Sequence, residues 1–214
     1  MKGSERSVKI KLIFLFLLAG LTLFSCRSGN SGPGFISPWI WVSGNNSVNP
    51  PGVYGVLGQT VGGNVPGGRR NPVSWIDKSG NLWLFGGAGY DSAGHLGDLN
   101  DLWKFDGTNW TWLSGSSTVN RTGVYGVLGQ AAGGNIPGAR VYAVSWIDVS
   151  GNKWLFGGVG YDSAGNVGDL DDLWKFDGTN WTWLSGSSTV NRTESMACSA
   201  RPPAGISPER GFTP

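Results

Sequence analysis

The sequence predicts an all-β fold assembled from repeated four-stranded antiparallel units. Three observations carry this reading. The 22 residues 101–122 (DLWKFDGTNWTWLSGSSTVNRT) return unchanged at 172–193, an offset of 71 residues. The same offset links Trp75 to Trp146, the WLFGG at Trp83 to that at Trp154, and the YDSAG at Tyr90 to that at Tyr161. Each copy also holds short β-branched and aromatic runs separated by Gly, Asn and Asp turn signals.

The second copy shows the elements in order. RVYAVSWID (140–148) reads as a strand, because β-branched and aromatic side chains suit a pleated, half-buried surface. Ser150-Gly151-Asn152 turns the chain. KWLF (153–156) is a second strand that ends at Gly157-Gly158, and a polar loop, VGYDSAGNVGDLD, follows. DLWKFD (172–177) is the third strand, and Gly178-Thr179-Asn180 turns into WTWL (181–184), the fourth. The period of two puts Trp181 and Trp183 on one face. A Gly-rich connection, residues 114–139 at the first junction, leads from copy to copy.

Composition agrees. Glycine accounts for 37 of 214 residues and tryptophan for 12, while charged residues are only 14%. Disordered chains are poor in aromatics, so the repeats are expected to fold. The formal charge of +2 comes from the start of the chain, where Lys2, Arg6, Lys9 and Lys11 face only Glu5. The remainder carries 12 basic and 13 acidic side chains, which leaves no basic footprint for nucleic acid.

That start reads as an export signal. Residues 12–24 are apolar, too short for a permanent span and right for a signal-peptide core. The segment ends LFSC at Cys26. LFSC resembles the bacterial lipobox, which implies cleavage before Cys26, lipidation of that residue and a membrane anchor in the outer membrane or at the cell surface. Several acyl chains would hold stably where one is marginal. Residues 26–38 then form a flexible Gly/Ser/Pro tether.

The repeats resemble the kelch family of β-propellers. The resemblance rests on Gly86-Gly87 and Gly157-Gly158, on Trp103 and Trp174, and on Trp110 and Trp112 with Trp181 and Trp183. It covers residues 39–193 and is strongest to the Trp-rich, long-looped kelch arrays of bacterial surface proteins. The 71-residue period exceeds the usual kelch period of about 50, and the excess lies in the loop after the double glycine and in the connection. The counted organisation is a signal peptide (1–25), the tether (26–38), repeat 1 (39–109), repeat 2 (110–180), the start of repeat 3 (181–193) and a tail (194–214). The expected architecture is a kelch-type propeller fragment of two four-stranded blades plus the start of a third. Its tryptophans are expected to pack between blades.

The tail carries the third copy in another reading frame. Permitted codons for residues 195–214, read two nucleotides later, give YGVLGQAAGGNIPGARVYA, which is residues 125–143. The tail is therefore expected to be irregular, Cys198 to be incidental, and the chain to be a fragment of a longer propeller, since closed propellers have roughly four to eight blades.

Little catalytic chemistry is legible. His95 is the single histidine. Galactose oxidase shares the kelch-type propeller, but its copper site needs two histidines and a Cys–Tyr pair, and this chain lacks them. No cofactor is expected. Asp91, Asp98 and Asp101, with Asp162, Asp169 and Asp172, could form oxygen clusters for calcium, and turn formation is the competing reading. The functional expectation is a non-catalytic surface or periplasmic module that binds a protein or glycan through its long loops. The alternative is a carbohydrate-active kelch enzyme, sialic acid mutarotase-like or galactose oxidase-like, that has lost most of its blades. Near-identical copies favour the module, because an enzyme site is asymmetric.

Overall fold

A computed structural model describes residues 40–190. The export signal, Cys26, most of the tether and the tail lie outside the described residues. Ten strands follow in order: β1 (Arg69–Arg70), β2 (Val73–Ile76), β3 (Leu82–Tyr90), β4 (Leu96–Phe105), β5 (Trp110–Ser114), β6 (Arg140–Val141), β7 (Val144–Ile147), β8 (Lys153–Tyr161), β9 (Val167–Phe176) and β10 (Trp181–Ser185). They form two antiparallel sheets, one per repeat, and no helix occurs among the described residues.

Each sheet has four positions. β1 and β2 both pair with β3, at Arg69↔Gly89 and Val73↔Phe85, so they are one edge strand broken in the middle. The break falls at Asn71, with φ 51°, and Pro72. Proline has no N–H for the ladder, and its ring restricts the residue before it. β6 and β7 repeat the arrangement against β8. The chain then meanders through β4 and β5, and through β9 and β10. This is the fold class read from the repeat: two four-stranded antiparallel blades.

Two expectations need correction. The second strand does not stop at the double glycine. β3 runs through Gly86-Gly87 to Tyr90 and pairs with a longer β4 that already starts at Leu96. The glycines form a bulge between Phe85 and Gly87, with φ 64° and 91°. Positive φ breaks the pleat locally without ending the strand. Most of the expected polar loop is therefore hairpin. Second, the boundary that opens a third repeat at residue 181 falls inside the second blade: Trp181–Ser185 is that sheet's fourth strand, as read for the second copy, with Trp181 opposite Phe176. Asp177 Oδ1 accepts from the N–H groups of Thr179 and Asn180, both at 2.8 Å. This tight turn delivers the chain to the free edge of β9. The Gly-rich connection belongs to the blade it precedes: Gly58 N–H donates to Trp112 O at 2.8 Å and Gly129 N–H to Trp183 O at 2.7 Å.

The two sheets pack face to face around Val73, Trp75, Trp83, Phe85 and Leu102 from the first, with Leu155, Trp174, Phe176 and Trp181 from the second. Ring centroids lie 5.9 Å apart for Trp83 and Phe176, and 5.4 Å apart for Phe85 and Trp181. Trp75 Nε1 donates to Trp146 O at 3.1 Å. The Lys153 ammonium sits 3.8 Å from the Trp83 ring centroid. Burying an aliphatic or phenyl side chain stabilises by about 1.5–3 kcal/mol, so this shared core dominates the joint. The expectation of tryptophan packing between blades holds for Trp75, Trp83, Trp174 and Trp181; Trp103 is buried within its own blade against Tyr54, and Trp41 and Trp146 are exposed.

Candidate functional site

The six candidate aspartates do not converge. Asp101 and Asp172 are fully buried and each accepts two bonds from one guanidinium: Asp101 from Arg69 at 2.6 and 2.8 Å, Asp172 from Arg140 at 2.6 and 2.8 Å. Each also accepts from a tyrosine hydroxyl, Tyr54 at 2.6 Å and Tyr125 at 2.7 Å, and from an indole, Trp103 and Trp174 at 2.7 Å. Arg140 also donates to the carbonyls of Gly138 and Gly157. Burial alone pushes the Asp172 carboxyl up; Arg140 beside it outweighs that and holds it below the usual carboxylate range. Burial, then Asp101, drives the Tyr54 hydroxyl well above the ordinary phenol. These carboxylates tie the connection, the broken edge strand and the third strand of each blade together. They are not free for a cation.

Asp91 and Asp162 hold turns. Asp91 Oδ1 accepts from the N–H groups of Ala93 at 2.9 Å and His95 at 2.8 Å. Asp162 Oδ1 does the same for Ala164 and Asn166, and its Oδ2 accepts from Val190 N–H at 3.1 Å. Asp98 is half-buried near Arg70, and Asp169 is exposed. Among the described residues, no three of His, Cys, Asp and Glu are placed to hold a metal ion. Turn formation, the competing reading, is what the structure shows at Asp91 and Asp162, whereas Asp101 and Asp172 hold buried ion pairs that neither reading anticipated.

A cleft lies where the first blade meets the connection to the second. It encloses about 350 Å³ and is lined by Asn100, Ser116, Asn120, Arg121 and Thr122, with Val124 and Ile136 as its apolar wall. Asn120 is built in: its backbone sits at φ 59°, its N–H donates to Asp98 O at 2.7 Å, and its Oδ1 accepts from Asp98 N–H at 2.9 Å. Asn100 is fixed by Ser116 N–H at 3.0 Å and by its own bond to Pro137 O at 3.3 Å. Arg121 and Thr122 are exposed beside them. The site therefore offers the exposed Asn120 amide, the Ser116 and Thr122 hydroxyls and the Arg121 guanidinium, braced from beneath by the buried Asn100. Sequence reasoning placed binding in the long loops but did not single out these residues. One signal was present: Arg121-Thr122 replaces the Pro50-Pro51 of the first copy within an otherwise close match.

Two other aspartates set a pH dependence. Asparagine 152 first, and then the Trp154 indole, hold Asp148 at about 2 by hydrogen bonds to its carboxylate. Burial pushes Asp77 up, but the matching bonds from Asn81 and Trp83 outweigh it and leave it at about 2. An unfolded aspartate titrates near roughly 3.9. The folded state therefore binds these protons less tightly than the unfolded chain. Their contribution to stability is fully present above about pH 4 and is lost as pH falls toward 2. Denaturant melts across that range should show this slope, and the Asp77→Ala/Asp148→Ala double variant should flatten it.

No protein-family model matches the chain, and no curated protein matches it in sequence. Among solved structures it is similar to that of YjhT, at 19% identity and a TM-score of 0.40. The match covers 56% of this chain and 38% of that one, so the similar region spans less than half of YjhT.

Proposed function

We propose that this chain is a non-catalytic binding module of kelch type, exported and lipid-anchored through Cys26, that takes a glycan at the cleft of Asn100, Asn120 and Arg121. The observation that carries the reading is the rigid polar rim of that cleft. The Asn120 amide and the neighbouring hydroxyls match the alternating donors and acceptors of a sugar, and the backbone ties of Asn120 and Asn100 fix the rim before a ligand arrives. Preorganised polar groups lower the entropic cost of binding. Further support comes from the acidic side chains. Asp91, Asp101, Asp162 and Asp172 are committed to turns and to buried ion pairs, where they hold structure together. In this reading the chain is a truncated fragment of a longer propeller, and the third copy legible in the shifted frame is not part of it.

The full chain in detergent should bind a subset of a glycan array. Arg121→Ala should weaken that binding by about tenfold, equivalent to about 1.4 kcal/mol, without changing the melting curve. A blank array, or binding that Arg121→Ala leaves intact, contradicts the cleft assignment. Turnover of simple glycosides by the wild-type chain would favour the enzyme reading instead.

A further inference from the structure

The two blades present the same two faces in the same order, and one of each is covered. On the first sheet, Val73, Trp75, Trp83 and Phe85 form a face that the second sheet buries. Val73, Trp75 and Phe85 are 6%, 5% and 0% exposed. Their counterparts one repeat later are Val144, Trp146, Trp154 and Phe156. Val144, Trp146 and Phe156 are 61%, 43% and 43% exposed. The open face is ordered: Val144 stands opposite Phe156, and Trp146 opposite Trp154 with its ring stacked at 5.5 Å.

The complementary face shows the reverse. On the second sheet, Leu155, Phe176 and Trp181 are buried against the first, with Lys153 over Trp83. On the first sheet, the counterparts Leu84 and Trp110 are only half-buried and Leu82, in the place of Lys153, is exposed, while Phe105, the counterpart of Phe176, lies beneath Trp110 at 8% exposed. The described residues thus carry, on the outward faces of their two sheets, the two halves of the joint between them.

We infer that a second copy of this chain docks head to tail, with the Val144–Trp146–Phe156 face of one copy on the Leu82–Leu84–Trp110 face of the next. The internal joint is the template. Trp154 takes the place of Trp83 against Phe105 of the second copy, and Phe156 takes the place of Phe85 against Trp110. Leu82 replaces Lys153 over the tryptophan, and Lys175, opposite Trp154, keeps the place that Lys104 holds beside Trp83. Such a contact is heterologous: it leaves both ends unsatisfied unless the rotation closes a ring. Propeller rings close at roughly four to eight blades, so two-blade chains close with about two to four copies.

The test uses the full chain in detergent, with mass measured by sedimentation with the micelle matched out. The wild type at micromolar concentration is expected as a discrete assembly of two to four chains. Phe156→Glu and Leu82→Glu alter opposite faces at exposed positions and should each give single chains with an unchanged strand signal in circular dichroism. Val144→Glu is a second variant of the first face and should behave as Phe156→Glu does. An equal mixture of Phe156→Glu and Leu82→Glu retains one intact face of each kind and should form a dimer with a single joint. A single-chain wild type overturns the inference. So does a Leu82→Glu variant that stays assembled, because that would mean two copies of the open face pair with each other.

Discussion

Asp172→Ala is expected to destabilise the second blade by about 3–5 kcal/mol, seen as a fall in the denaturant midpoint with little change in slope. Removing the carboxylate leaves Arg140 buried with its charge unopposed, and the Tyr125 hydroxyl and Trp174 indole lose their acceptor in the same step. The loss should exceed what one hydrogen bond contributes, about 0.5–1.5 kcal/mol, because an uncompensated buried charge is left behind. Asp169→Ala, on the same strand but exposed, should change stability by no more than about 0.5 kcal/mol. If the two variants melt alike, the ion pair does not hold the blade together.

Trp181→Ala should cost about 3–5 kcal/mol, and Trp110→Ala roughly half of that or less. The two tryptophans begin the same strand in successive copies and meet the same neighbours within their own sheets. Trp181 lies 5.1 Å from Phe176 and 6.4 Å from Trp174; Trp110 lies 5.1 Å from Phe105 and 6.5 Å from Trp103. What differs is Phe85, which reaches Trp181 from the other sheet. The comparison therefore isolates what stacking a second blade adds. It is made on assembly-deficient Leu82→Glu chains, so that Trp110 remains uncovered.

Much of this fold was legible because the repeat prints each blade twice. WTWL at 110–113 and 181–184 is strand in both copies, and the edge runs ending in Trp75-Ile76 and Trp146-Ile147 are strands as read. The double glycine misled for a physical reason. Glycine at positive φ suits a turn and a bulge equally well, and only the ladder beyond it, Ala88 opposite Asp98, decides between them. The buried ion pairs were hidden because Arg69 and Asp101 are 32 residues apart and meet only once the register is known. Their clue was the shared offset of Arg69, Asp101 and Tyr54 with Arg140, Asp172 and Tyr125. The candidate cleft had no motif, since a connection folding back on the preceding blade creates it.

The claim that successive repeats stack as blades, one face on the opposite face of the next, rests most directly on Phe85 and Trp181. A double-mutant cycle with Phe85→Ala, Trp181→Ala and the combined variant measures their coupling in denaturant melts. Edge-to-face aromatic pairs contribute about 0.5–1.5 kcal/mol beyond area burial, and the account predicts a coupling of at least that size. Single-variant losses that simply add, to within about 0.3–0.5 kcal/mol, would mean the two rings do not meet and would contradict the stacked-blade arrangement.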